Sequence, residues 1–149
     1  GSYQWYEIQD NIAYWQEFEQ PKIIYPDIAL SPQFSWDNDQ QYLANTAYII
    51  PRVEKWLLSI LNSPACAWFY GQISPQIQNG YYRFIAQYCQ QIPIPTITLP
   101  DQTKLETLVQ RILDNPNTAN VADLESEINE RVYRIYGLTR EEIALIEGA

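Results

Sequence analysis

The feature that most limits the fold is a run with alternating prolines, "IPIPTITLP", at residues 92–100. Proline fixes φ at roughly −65°, has no backbone N–H, and disfavours the helical conformation in the residue before it. A helix or a central strand is therefore not expected to run through this segment, and the chain should cross it in an extended form. We predict two parts, an α+β domain over residues 3–100 and a C-terminal helical appendage over residues 101–149 packed on it.

Short β-like runs characterise the first part. They are rich in Ile, Tyr, Trp and Phe and separated by Pro, Asn, Asp and Gln: "YQWYEI", "KIIYPDIAL", "QFSW" and "AYIIP". The run "VEKWLLSILNSPACAWFYGQIS" interrupts them with apolar residues at helical spacing, and Ser63-Pro64 opens a second short helix within it. The first part is thus predicted to contain a small mixed or antiparallel sheet with one or two packed helices.

Two apolar stripes at helical spacing characterise the second part: Leu105, Leu108, Val109, Ile112 and Leu113, then Val121, Leu124, Ile128, Val132 and Ile135. "NPNTAN" separates them and predicts an antiparallel helical hairpin. Gly137 can close the second helix through a left-handed cap, and Thr139 with Glu142 has the spacing of a capping box that opens a short final helix. The acidic residues of this part are interpreted as a solvated surface.

The composition indicates a soluble globular chain. Its 149 residues are 46% hydrophobic, which suits one core, and no apolar run approaches the roughly 20 residues that span a bilayer. Cys66 and Cys89 lack the spacing of a zinc site or of a disulfide framework, so we expect buried free thiols in a reducing cytoplasm. Gly1-Ser2 resembles a cleavage scar, which suggests a domain taken from a longer polypeptide.

No catalytic constellation is visible in the sequence. The chain has no histidine, which excludes Ser-His-Asp and Cys-His nucleophiles and the HExxH zinc site. Its five glycines are too scattered to cradle a phosphate or S-adenosylmethionine. "NPNT" at 115–118 is interpreted as a linker, "WDND" at 36–39 as a turn, and Asp27 in "YPDIA" lacks the ExK partner of a nuclease motif. We therefore predict that this fragment has no catalytic activity and no cofactor of its own.

The stretch "ISPQIQNGYYRF" at residues 73–84 carries the functional hypothesis. Asn79-Gly80 favours a two-residue type I′ hairpin turn, because both residues tolerate positive φ. Such a turn presents Gln78, Tyr81 and Arg83, whose side chains can contact base edges or phosphates of DNA.

A structural interpretation of the same stretch stays open. Tyr82 and Phe84 would then face the core, Tyr81 would cover it in part, and Arg83 would pair with a carboxylate. The residues alone favour this interpretation.

A family resemblance changes that balance. "KIIYPDIA", "YIIP", "WLLSILNS" and "ISPQIQNGYYRFIAQYCQQIPIP" occur in the order seen in the TaqI-like C-terminal specificity domain of type IIG restriction-modification enzymes and large adenine-specific DNA methyltransferases. The helical end resembles the end of the same proteins. The family stretch often reads Arg-Gly-Gly-Tyr-x-Arg-Phe, so Arg83 and Phe84 match it, whereas Gln78 stands where a basic residue is common.

The resemblance implies sequence-specific recognition of double-stranded DNA, with Lys22, Gln78, Asn79, Tyr81 and Arg83 as contact residues. It implies a methyltransferase domain of the same polypeptide as partner. S-adenosylmethionine, and magnesium where the parent also carries a nuclease, would belong to the missing N-terminal domains. Because "YYRF" recurs among readers of different targets, we expect a phosphate contact from Arg83 and base contacts from Gln78 and Asn79.

The charge balance of the chain bears on the expected DNA binding. Residues 1–100 contain four basic and eight acidic residues, and the rest of the chain contains five and ten. Since affinity for DNA comes largely from phosphate neutralisation, the isolated chain should bind a duplex weakly. The alternative function is a docking module that touches no DNA, and a positive face around Arg83 and Lys22 would favour DNA over docking.

Overall fold

The structure, a computed structural model, describes residues 21–37, 47–50 and 54–148. Within these ranges it has five strands, β1 (Lys22–Pro26), β2 (Ile28–Ala29), β3 (Ser35–Asp37), β4 (Ala47–Ile50) and β5 (Tyr82–Arg83). Its helices are α1 (Trp56–Leu61), α2 (Pro64–Ile73), α3 (Ala86–Cys89), α4 (Leu99–Asp114), α5 (Val121–Ile135) and α6 (Arg140–Ile146), with a 3₁₀ turn at Gln78–Gly80. The predicted α+β class is confirmed, whereas the predicted strand "YQWYEI" lies outside the described residues.

The first sheet is antiparallel and has the strand order β3-β1-β4. Alternation along β1 directs Ile23 and Tyr25 into the core, where they are 0% and 7% exposed. The register places Ile23 opposite Trp36 on β3 and opposite Ile50 on β4. Three of the predicted β-like runs therefore meet in one small sheet.

A second, two-stranded ribbon joins distant parts of the chain. β2 pairs with β5 in antiparallel register, with Ile28 opposite Arg83 and Ala29 opposite Tyr82. The pairing continues past the ribbon, because the N–H of Phe84 donates to the carbonyl of Asp27 at 2.6 Å. This ribbon carries the stretch that was singled out in the sequence.

Helices α1 and α2 form where the apolar spacing predicts them. Ser63 caps α2 by accepting a hydrogen bond from the N–H of Cys66 at 3.1 Å, and Pro64 occupies the first turn, where its missing N–H costs nothing. The ring of Tyr70 on α2 stacks on Phe84 with a centroid distance of 4.4 Å. Helix α2 therefore packs against the chain at the end of β5.

The helical tail begins slightly earlier than the last proline suggests. Thr98 caps α4, and Pro100 lies in its first turn rather than before it. At the other end of the tail, Gly137 has a φ of 69° and closes α5, and Thr139 forms the predicted capping box with Glu142. The local stop and start signals in this part of the sequence are confirmed.

One hydrophobic core unites the sheet and the helices. Helix α1 packs on α4 and α5, and α2 contacts α5 and α6. The buried cluster includes Ile23, Ile60, Leu108 and Val132, each 0% exposed. Among the described residues, no helix is long and apolar enough to cross a membrane.

Candidate nucleic-acid interface

The tip, residues 78–83, comprises the turn at Gln78–Gly80 and strand β5 of the β2–β5 ribbon. Asn79 has φ 64° and ψ 24°, and Gly80 has φ 78°, the positive angles that a type I′ turn requires at both central positions. The N–H of Ile77 donates to the carbonyl of Tyr81 at 2.8 Å, and Gln76 forms a single antiparallel bridge with Tyr82. The positive φ angles predicted for Asn79 and Gly80 are confirmed, but the Ile77–Tyr81 hydrogen bond encloses three residues rather than the predicted two. The outgoing strand pairs mainly with β2 and not with the incoming chain.

The tip has an exposed edge and a buried root. Gln78, Asn79, Tyr81 and Arg83 are exposed, whereas Phe84 is 1% exposed. The hydroxyl of Tyr70 donates to the carbonyl of Arg83 at 2.5 Å, and burial raises the pKa of Tyr70, so this donor stays protonated. The arrangement holds the backbone of β5 while its polar side chains face solvent.

Gly71 permits the close approach of α2 to the ribbon. A Cβ atom at this position would lie 3.4 Å from the hydroxyl oxygen of Tyr82. The same hydroxyl accepts a hydrogen bond from Nε2 of Gln76 at 3.0 Å. Tyr82 is thereby held between the helix and the chain that enters the turn.

Arg83 forms an ion pair that the sequence does not reveal. Its Nη2 lies 3.1 Å from Oδ2 of Asp27, and its Nε lies 3.4 Å from Oδ1 of the same carboxylate. The Arg83 side chain is 50% exposed and that of Asp27 is 17% exposed. The structural interpretation of this stretch anticipated such a carboxylate partner, and the partner precedes β2 in the chain.

Lys22 is placed differently from the other predicted contact residues. Its side chain is 0% exposed and forms an ion pair with Asp37, which is 4% exposed, across the β1–β3 register. An ammonium group in this position does not reach a DNA duplex. The predicted DNA contact from Lys22 therefore does not fit the structure, and Lys22 and Arg83 form no joint positive face.

Apolar side chains flank the tip, and the sequence reasoning did not single them out. Ile28, which lies opposite Arg83, is 50% exposed, Leu30 is 56% exposed and Ile77 is 41% exposed. The only sequence signal is "YPDIAL", in which Ile28 and Leu30 alternate with the buried Ala29. Their exposure follows from the pairing of β2 with β5, which no local pattern specifies.

A second surface lies between α2 and α6. It contains a cavity of about 290 Å³ with an almost entirely apolar lining. Residues that border it include Trp68, Phe69, Ile92, Leu138 and Leu145. Helix α6 buries none of its side chains completely, and Leu145 is 60% exposed.

Both cysteines are free thiols, and Cys66 is buried as expected whereas Cys89 is only partly buried. Burial raises the pKa of the Cys66 thiol to about 12, so it remains protonated near neutral pH. In residues 21–37, 47–50 and 54–148, three or more potential metal ligands do not come together.

The chain belongs to the family described as the TaqI-like C-terminal specificity domain, which matches residues 3–94. This finding confirms the resemblance drawn from the sequence. The exposed tip and the helix that supports it lie within the matched residues.

Curated relatives extend the similarity into the helical tail. The chain is 24% identical over 147 residues to the type II methyltransferase M.BanIII of Aneurinibacillus aneurinilyticus, with 91% of this chain and 25% of the relative covered. It is 26% identical over 133 residues to the type II methyltransferase M.PaeR7I of Pseudomonas aeruginosa, with 86% and 21% covered. It is 27% identical over 128 residues to the type II methyltransferase M.XhoI of Xanthomonas vasicola, with 82% and 21% covered. The chain thus spans about a fifth to a quarter of the length of these relatives.

Proposed function

We propose that this domain recognises a specific sequence in double-stranded DNA on behalf of an adenine-specific methyltransferase domain of the same polypeptide. The domain reads base edges in the major groove with its tip, and it performs no chemistry itself. The methyltransferase domain flips the target adenine and supplies the site for S-adenosylmethionine. The family and the three relatives named type II methyltransferases support this proposal.

The observation that carries the proposal is the exposed tip on a rigid base. Turn residues with fixed positive φ hold Gln78 and Asn79 at the outer edge, and the Tyr70–Phe84 stack fixes the root. A projecting turn on a two-stranded ribbon can enter the major groove, which is roughly 12 Å wide. The amide side chains of Gln and Asn can bond both N6 and N7 of adenine.

Local charge argues against phosphate binding as the role of the tip, and the positive face around Arg83 and Lys22 that would favour DNA over docking is not formed. Asp27 neutralises much of the charge of Arg83, and Lys22 is buried beside Asp37. A duplex binder needs cationic groups near phosphates, because release of counterions supplies most of the sequence-independent affinity. In this proposal, the methyltransferase domain provides most of those phosphate contacts.

The proposal is tested with the Gln78→Ala variant of the full-length parent protein. Methylation of a duplex library with randomised target positions should show a changed preference at one base pair, with a cost of roughly 1–3 kcal/mol. The matched control is Asn117→Ala, which removes an exposed amide from the connection between α4 and α5. Unchanged preferences in Gln78→Ala and Asn79→Gly would contradict base recognition by the tip.

The absence of chemistry in this fragment has its own test. Calorimetric titration of the 149-residue chain with S-adenosylmethionine should give no heat of binding at micromolar concentrations. Binding at that affinity would refute the assignment of the cofactor to another domain.

The apolar cavity between α2 and α6 favours a second candidate function, a docking module that touches no DNA. If docking is the sole role, Leu145→Asp should abolish binding of the 149-residue chain to a separately produced methyltransferase domain. Gln78→Ala should then leave both this binding and the target preference unchanged. If the domain reads DNA, Gln78→Ala should alter the target preference while Leu145→Asp leaves that preference unchanged in the remaining activity.

A further inference from the structure

Beyond DNA recognition in general, and resting on that proposed function, we infer that Asp27 and Tyr70 are positioning residues for the tip. They hold Arg83 by its side chain and by its backbone, so that the turn at Gln78–Gly80 keeps one orientation toward the DNA. Arg83 itself then contacts neither a base nor a phosphate. This role replaces the phosphate contact that the sequence led us to expect.

The ribbon that carries the turn is short. Strand β5 pairs with β2 at two positions, Arg83 with Ile28 and Tyr82 with Ala29. A two-stranded ribbon is at best marginally stable by itself, and a shift of register by one residue would turn its side chains to the other face. Contacts outside the strand pairing are therefore needed to hold this register.

Asp27 supplies two such contacts, one through its backbone and one through its side chain. Its carbonyl accepts a hydrogen bond from the N–H of Phe84 at 2.6 Å. Its carboxylate accepts from Nη2 and Nε of Arg83, at 3.1 Å and 3.4 Å. Because Asp27 directly precedes β2 and Arg83 ends β5, both contacts fix the register of the ribbon.

Tyr70 holds the same strand from helix α2. Its side chain is 1% exposed, and its hydroxyl donates to the carbonyl of Arg83 at 2.5 Å. Its ring stacks on Phe84 at a centroid distance of 4.4 Å and meets Tyr82 edge-on at 6.3 Å. Strand β5 is thereby attached to the core, whereas Gln78 in the preceding turn is exposed.

The charge of the ion pair favours this role for Arg83 over a contact with DNA. A phosphate bound by Arg83 would lie close to the carboxylate of Asp27, and the repulsion would offset much of the attraction. Asp27 and Arg83 belong to "YPDIA" and "YYRF", two of the segments that carry the family resemblance. A residue that recurs among readers of different targets does not itself select a base.

The first test compares variants of the ion pair in the full-length parent. Gln78→Ala sets the largest loss of discrimination expected from the turn, roughly five- to 150-fold at one base pair. Asp27→Asn and Arg83→Ala should each lose roughly two- to fivefold at the same base pair, the equivalent of an exposed ion pair. Neither should cause a further loss there when combined with Gln78→Ala. The slope of binding against salt concentration should stay that of the parent in both variants.

The second test removes the hydroxyl of Tyr70 and keeps its ring. Tyr70→Phe in the full-length parent should lose roughly two- to tenfold discrimination at the same base pair, the equivalent of one hydrogen bond, and hydrogen exchange of the Phe84 amide should speed by a similar factor. The matched control is Tyr133→Phe, because Tyr133 is 4% exposed and its hydroxyl donates to Glu147 at 3.1 Å in the helical tail. This control should leave both measurements unchanged. Unchanged exchange of the Phe84 amide in Tyr70→Phe would contradict the inference without reference to DNA.

Other results also overturn the inference. A salt slope lowered by about one unit in Arg83→Ala, or tighter binding by Asp27→Asn, would show a phosphate contact from Arg83. A loss at a base pair other than the one that Gln78→Ala affects would show a base contact from Arg83. Unchanged discrimination in all three variants would show that these contacts serve only the fold. The proposed function survives each of these failures if Gln78→Ala still alters the target preference, and it fails separately if no tip variant affects recognition.

Discussion

Replacement of Lys22 by methionine tests whether this lysine serves the fold rather than DNA. Lys22 is 0% exposed and its partner Asp37 is 4% exposed, so the ion pair lies inside the protein. Removing the ammonium leaves a buried carboxylate without this partner, which costs about 3–5 kcal/mol. That is a large part of the roughly 5–15 kcal/mol by which a domain is ordinarily stable. The melting temperature should fall by roughly 2–4 °C for each kcal/mol.

Urea unfolding of the 149-residue chain measures the effect. The variants Lys22→Met, Asp37→Asn and their combination form a double-mutant cycle, with an expected coupling energy of roughly 1–3 kcal/mol. Lys104→Met is the matched control, because the Lys104 ammonium lies 3.6 Å from Glu127 in an exposed pair. Such pairs contribute about 0–1 kcal/mol. The reasoning is refuted if Lys22→Met leaves stability unchanged and weakens DNA binding by the full-length parent.

Four further predictions concern the helical tail and the core. Leu108→Ala should lower the free energy of unfolding by about 2–5 kcal/mol, because Leu108 is 0% exposed. Leu113→Ala should lower it much less, because Leu113 is 38% exposed. Equal decreases for the two variants in urea unfolding would show that α4 does not pack on α1. Gly137→Ala should cost about 1–2 kcal/mol through its φ of 69°, and an unchanged melting temperature would contradict this. Thr139→Ala should speed hydrogen exchange in α6 by removing a cap worth about 0.5–2 kcal/mol, whereas unaltered exchange would show that the cap does not stabilise α6. Burial raises the pKa of Cys66 from 9.0 to about 12, so between these pH values the folded state keeps a proton that the unfolded state loses, and the free energy of unfolding should fall as the pH rises. Cys66→Ala should reduce that fall, which urea unfolding at several pH values measures. An identical fall in the variant would refute the assignment.

The features that the sequence predicted well are those determined by neighbouring residues. Ser63-Pro64, Gly137 and the Thr139–Glu142 pair mark helix ends, because a cap is formed within one turn of the chain. Asn79-Gly80 specified its turn for the same reason, since only the φ preferences of two adjacent residues are needed. Helix α4 starts at Leu99 because Thr98 caps it, and Pro100 is compatible with its first turn.

The features that the sequence did not reveal depend on strand register. Lys22 meets Asp37 only because β1 and β3 pair in one antiparallel register, and a shift by one residue would turn Lys22 to the other face. Arg83 meets Asp27, 56 residues away in the sequence, because β5 pairs with β2. These pairings reassigned one predicted DNA contact to the core and gave another a carboxylate partner.

The turn at Gln78–Gly80 separates positions that can vary from positions that cannot. Asn79 and Gly80 must keep left-handed backbone angles, whereas Gln78 is a solvent-facing side chain on an otherwise fixed frame. A substitution at position 78 therefore changes an exposed side chain of the tip and leaves the packing of the core unchanged. Under the proposed function, a substitution at position 78 would change the recognised sequence at little risk to folding.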